Sequence, residues 1–152
     1  MLYRTDFDEN GRKTLCQMDG VNADMLMDIF VQKLAPGDTL TLEEAEKECA
    51  VLLLSGQVTF AVGNSINETC RRKNPFEKKS YAVHFCRGTK ATVTAIEGSQ
   101  VLVQMTDNDR TWAPEFYHPG NCLYQEFGKG QWNGTGSSLL CLIWTTPRSP
   151  TW

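Results

Sequence analysis

Two histidines, His84 and His118, are the only imidazoles in the chain, and they bound its chemistry. Imidazole titrates near neutral pH, which suits a general base or a ligand-binding group. His84 stands in the stretch Tyr81-Ala82-Val83-His84-Phe85. There Tyr81, Val83 and Phe85 mark one face of a strand, and Ala82 and His84 mark the other. If the second face turns inward, His84 meets a ligand; if not, it is an exposed or satisfied strand histidine. His118 closes a crowded segment with Trp112, Glu115 and Tyr117. Aromatic rings stack on the C–H surface of a sugar, while a carboxylate and an imidazole bond its hydroxyls, and loops are where such residues gather. The competing reading is that Pro114 and Pro119 bracket a structural turn with packed aromatics. The candidate binding residues are thus His84, Trp112, Glu115 and His118. No residue is assigned a catalytic role.

Other chemistries find less support. A metal needs several convergent imidazoles, thiolates or carboxylates to replace its hydration shell, and two histidines exclude a three-histidine site within one subunit. No metal ligand and no cofactor is therefore expected. Gly128-Lys129-Gly130 lacks the remainder of a phosphate-loop pattern. Glu43, Glu44, Glu46 and Glu48 read as a solvated face, and Arg71, Arg72, Lys73, Lys78 and Lys79 as a basic-tinged loop. Six cysteines are spread without any CxxC pair, and the first 13 residues contain no apolar core of the kind that directs export. Reduced thiols and a cytoplasmic protein are the expectation.

These residues must be positioned by the rest of the chain. Its 152 residues, 41% hydrophobic and 22% charged, fit one globular domain. A net charge of −3 offers nothing to nucleic acid or an anionic membrane, and no apolar run approaches the ~20 residues that cross a bilayer. The organising stretch is 49–62. Five apolar residues, Ala50 to Leu54, predict a strand buried on both faces; Ser55-Gly56 predicts a turn; then Val58, Phe60 and Val62 alternate with polar or small residues. Further strands are expected from about Met27, and around 81–85, 91–95, 101–105 and 138–145, with 63–79 a polar connection. The fold class is all-β: a single cupin-like jelly-roll barrel over 23–147, with an N-terminal arm or short edge strands at 1–22 and a tail at 148–152 whose prolines cannot extend a sheet.

The scaffold resembles a cupin in its Pro36-Gly37 turn, the LLLSG segment at 52–56 and Phe85-Cys86-Arg87-Gly88-Thr89. Cupins commonly carry His-x-His before the first hairpin and a further histidine in the second motif. Here 39–48 holds no histidine, and Ala91 stands where the second motif would end in one. More narrowly, LAPGDTLTLE, KECAVLLLSGQVTF, PFEKKSYAVHFCRGTKATVTA, FGKGQW and LIWTTPRSPTW, in that order, resemble the N-terminal half of 5-deoxy-glucuronate isomerase. That enzyme of bacterial inositol degradation is related to 4-deoxy-L-threo-5-hexosulose-uronate ketol-isomerase.

The resemblance implies a double cupin whose metal-binding motif follows the segment similar to 145–152. None of those ligands has a matching position here. It also implies a place in inositol or uronate metabolism, with any intramolecular ketol isomerisation drawing its metal from a second cupin or a partner subunit. The alternative is a non-catalytic module that binds a sugar acid or assembles as an oligomer. The apolar, edge-prone strands predict a homodimer.

Overall fold

Apolar residues recur at every second position over 58–62, 91–95 and 101–105, and each of these stretches is strand. The structure is a computed structural model that describes residues 5–76, 80–127 and 136–140. Its strands are β1 Arg12–Cys16, β2 Asp28–Leu34, β3 Thr39–Leu42, β4 Lys47–Val62, β5 Ile66–Arg72, β6 Ala82–Phe85, β7 Ala91–Ala95, β8 Ser99–Asp107, β9 Glu115–Tyr117, β10 Leu123–Phe127 and β11 Gly136–Leu140. The helical content among the described residues is one 3-10 turn, Ala23–Met25. All strand pairs are antiparallel. One layer runs β1-β2-β8-β4-β6-β9, and a second runs β3-β7-β4-β5. β10 pairs with β11 separately.

β4 belongs to both layers. Its first half pairs with β6 and β8, and its second half with β5 and β7. The change of layer falls where the register slips between Leu53 and Ser55 and where Gly56 takes φ +99°. A Cβ at Gly56 would lie 2.6 Å from the Gly98 carbonyl oxygen and from the Ser99 Cα, so the position tolerates only glycine. The expected turn at Ser55-Gly56 is therefore a bend within one 16-residue strand. The same strand corrects a second expectation. Cys49, Val51 and Leu53 are buried, but Ala50, Leu52 and Leu54 are only half-buried, because the outer face of the larger layer is incompletely covered.

The inner faces meet in a single core. Val51, Leu53, Val83, Phe85, Val101 and Val103 come from the larger layer, and Val58, Phe60, Val62, Ala91 and Val93 from the smaller. The alternation read at 91–95 and 101–105 lies in β7 and β8 with the expected residues inside.

The connection 63–79 was expected to be a polar loop, yet it contains β5. Only Ile66, Cys70 and Arg72 of that strand are buried, so its apolar period is diluted. Arg72 is itself tucked in, donating to the Leu53 and Pro75 carbonyls at 2.9 and 2.8 Å. Arg71, on the opposite face, pairs with Glu97.

Barrel closure is the third departure. Among the described residues the sheet is not closed: the larger layer ends at β1 and β9, the smaller at β3 and β5. Closure requires edge strands to hydrogen-bond to each other. Instead β5 and the segment after β9 flank an open cleft, and the layers are joined through β4. The start of the expected last strand at 138–145 lies in β11, whereas 141–152 and Gly128-Lys129-Gly130 lie outside the described residues.

Candidate functional site

Sheet register decides where the polar candidates meet. Cα partners on antiparallel strands project to the same face. Gln104, Ala50, His84 and Glu115 form one continuous row across β8, β4, β6 and β9. That row lies opposite the core-facing row of Met105, Cys49 and Phe85. His84 thus points to the outer face of the larger layer and not into the core between the layers. It is nonetheless buried, at 7% exposure. Ala50 is small enough to leave space beside it, and the Trp112 ring covers it with centroids 5.0 Å apart at 39°. The Cys86 thiol donates to the Trp112 carbonyl at 3.3 Å, which pins the covering segment to the end of β6.

Two carboxylates flank the imidazole. Glu48, two residues before Ala50 and therefore on its face, places Oε2 3.9 Å from His84 Nε2. The same oxygen accepts a hydrogen bond from the Asn108 amide. Glu115 accepts one from the Tyr117 hydroxyl at 2.9 Å. Burial holds the His84 titration below its ordinary range, partly opposed by the charges of Glu48 and Glu115. At neutral pH the ring is uncharged. The His84–Glu48 separation is longer than a hydrogen bond, so a lone pair or N–H of the ring is not locked to the carboxylate. The nest has the parts for accepting and returning a proton from a hydroxyl, under a tryptophan lid.

The cupin resemblance raises the question of a metal. A stable site takes three or four convergent His, Cys, Asp or Glu ligands. Among the described residues no group of three such side chains could hold an ion. The buried thiols Cys49 and Cys70 are pushed up to about 12, mainly by burial, and stay protonated.

Three of the four sequence candidates, His84, Trp112 and Glu115, converge in this nest. His118 does not. It follows Tyr117 on the other face, exposed, with its ring 5.8 Å from that of Phe116. Glu48 and Asn108 escaped the sequence reading. Glu48 sits in an acidic run that looks solvated, and its role becomes readable only once β4 is known to begin at Lys47. Asn108 lies in a loop whose path across the sheet has no local signature.

Two antiparallel β layers packed on one core, with a polar nest and an open cleft, define a cupin-like protein. The chain belongs to the KduI/IolB family, whose model matches residues 1–139. It is similar to the solved IolB-like protein of Salmonella typhimurium LT2, at 24% identity and TM-score 0.74, covering 84% of this chain and 49% of that one. It is also similar to KdgF from a Halomonas species, at 11% identity and TM-score 0.50 over 70% of this chain and 89% of that one. A cupin 2 domain-containing protein from Halorhodospira halophila matches at 15% identity and TM-score 0.51, over 71% and 69% of the two chains. These likenesses establish the fold. The chain spans about half the length of the solved IolB-like protein. No curated protein matches it. No helix among the described residues is long and apolar enough to cross a membrane.

Proposed function

We propose that this chain is a cupin unit of inositol or uronate carbohydrate metabolism that has no metal site of its own and acts with a second cupin, in the same assembly or the same polypeptide. Membership of the KduI/IolB family is the observation that carries the reading. The second part is supported by the side chains around His84, since among the described residues no group of three His, Cys, Asp or Glu could hold an ion. On this reading the aldose–ketose proton shift of a deoxy-uronate takes place where a metal polarises the carbonyl, in the second cupin. His84, Glu48 and Glu115 then offer hydroxyl contacts or a proton relay, with Trp112 excluding water. Buried thiols at Cys16, Cys49, Cys70 and Cys86 are consistent with a reducing cytoplasm.

A non-catalytic module that binds a sugar acid or assembles as an oligomer is the second reading, favoured by the presence of only two histidines in the sequence. Purified protein incubated with zinc, manganese or nickel and then assayed for metal content and for isomerisation of 5-deoxy-glucuronate tests the proposal. The expected result is no stoichiometric metal and no turnover by this chain alone, with turnover when a second cupin of the family is added. Stoichiometric metal with turnover by this chain alone overturns it. Binding of the uronate with no turnover in any combination favours the second reading.

A further inference from the structure

β9 has a second side, and it carries a separate site. An open cleft of about 560 Å³ there is lined by Glu68, Thr69, Tyr81, Phe116, His118 and Gly120. Its floor is a tier of near-parallel rings. Tyr81 and Phe116 are stacked at 20° with centroids 6.4 Å apart, and Phe116 and His118 at 29° and 5.8 Å. Phe116 is anchored from below by Phe60 of the core, 6.4 Å away.

The polar rim is equally built. Glu68 shares its strand face with the buried Ile66 and Cys70 and lies opposite Phe60, yet it is exposed, because the core opens there. Its carboxylate makes no hydrogen bond or ion pair to a described residue. Across the cleft, His118 is fixed by a tight turn. The Asn121 amide N–H donates to the His118 carbonyl at 3.0 Å, and the His118 N–H donates to Asn121 Oδ1 at 2.7 Å. His118 Nδ1 accepts the Gly120 N–H at 3.1 Å, so the neutral ring carries its proton on Nε2 as a donor. A Cβ at Gly120 would lie 2.9 Å from His118 Cε1, so glycine is what lets the ring sit against the turn.

Aromatic rings lining a cleft together with a carboxylate acceptor and an imidazole donor match a polyhydroxylated ring. Its axial C–H groups pack on the rings, and its hydroxyls bridge Glu68 and His118. Charge narrows the class. Glu68 is the one acidic side chain of the described lining, and its carboxylate repels that of a sugar acid. We propose that this cleft binds an uncharged pyranose and discriminates against sugar acids. The site differs in place and in ligand charge from the nest of the proposed function, and it stands or falls without it.

Titration of the full chain by NMR or calorimetry with D-glucose, D-galactose, D-mannose and D-xylose, and with D-glucuronate and D-galacturonate as acid counterparts, tests the proposal. At least one neutral sugar is expected to saturate with Kd near ~1 mM, with its acid counterpart roughly tenfold weaker. Glu68→Gln should weaken the neutral sugar about tenfold, the loss of a hydrogen bond to a charged group, and shrink the discrimination against the acid. His118→Ala should weaken it as well with only a small loss of thermal stability, because the ring is exposed and its Gly120 contact lies at the surface. His84→Gln should leave it untouched. No saturation by any neutral sugar up to roughly 100 mM overturns the proposal. So does tighter binding of the acids that His118→Ala weakens and His84→Gln does not, or neutral-sugar binding that ignores both Glu68→Gln and His118→Ala.

Discussion

Glu115 and Phe116 are consecutive residues that serve opposite faces of one sheet. Glu115 pairs across the strands with His84 and accepts the Tyr117 hydroxyl, while Phe116 stacks on Tyr81 and rests on Phe60. A three-residue strand therefore divides two sites of different character, one covered and one open.

The covered site makes stability depend on pH. Burial lowers the folded-state titration of His84, so below about pH 6.5 the unfolded chain takes up a proton that the folded chain resists. Stability should be full above that value and decline as pH falls toward the lowered one. Chemical denaturation at pH 7.5 and at pH 5.5 should show the loss, and His84→Gln should flatten it. Equal slopes in both proteins would contradict the assignment.

Trp112 covers the His84 ring and is expected to set part of that shift. Trp112→Ala removes the ring that shields His84, and desolvation is the leading cause of its lowered titration. With Glu48 and Glu115 still in place, the imidazole should titrate higher, toward or past about 6.5. NMR titration of the ring protons reads this directly. An unchanged midpoint would mean the tryptophan is not the shield.

The bend in β4 admits one residue type. Gly56→Ala places a Cβ against the Ser99 Cα and the Gly98 carbonyl at positive φ, and should cost about 2–4 kcal/mol. Thermal denaturation is the measurement. A loss below about 0.5 kcal/mol would show that the bend relaxes freely.

Asp28 ties the N-terminal strand pair to β4. Its carboxylate accepts the Met18 amide at 2.8 Å and the Lys47 ammonium. Burial pushes its titration up, but the bonds to Lys47 and Met18 outweigh this and hold it below the ordinary range. Its contribution is present above about pH 4 and lost as pH falls through the lowered value. Asp28→Asn should cost about 1–2 kcal/mol at pH 7 and little near pH 2, measured by urea unfolding.

Much of this architecture was legible in the sequence, and the failures are instructive. Period-2 alternation located β6, β7 and β8, whose core-facing residues are apolar and buried, whereas at β2 the buried face is Phe30, Gln32 and Leu34 and not the Met27, Ile29 and Val31 face that the alternation suggests. It missed β5, where Glu68 and Arg72 occupy core-side positions, one at an open cleft and one bonded to carbonyls. A glycine after a serine was read as a reversal at Ser55-Gly56, since local chemistry cannot tell a turn from a bend enforced by Ser99 across the sheet. Among the candidate residues, adjacency in sequence misled. Trp112, Glu115 and His118 look like one loop, but strand pleating sends His118 to the other face and leaves Glu48, 36 positions before His84, as its true neighbour.

β4 has a mechanical consequence. Because a single chain segment is woven into both layers, neither can detach while the other stays intact, and the domain should melt as one cooperative unit. Amide protons at Val51 and Phe60, one in each layer, should therefore exchange with solvent through the same global opening, with matching free energies.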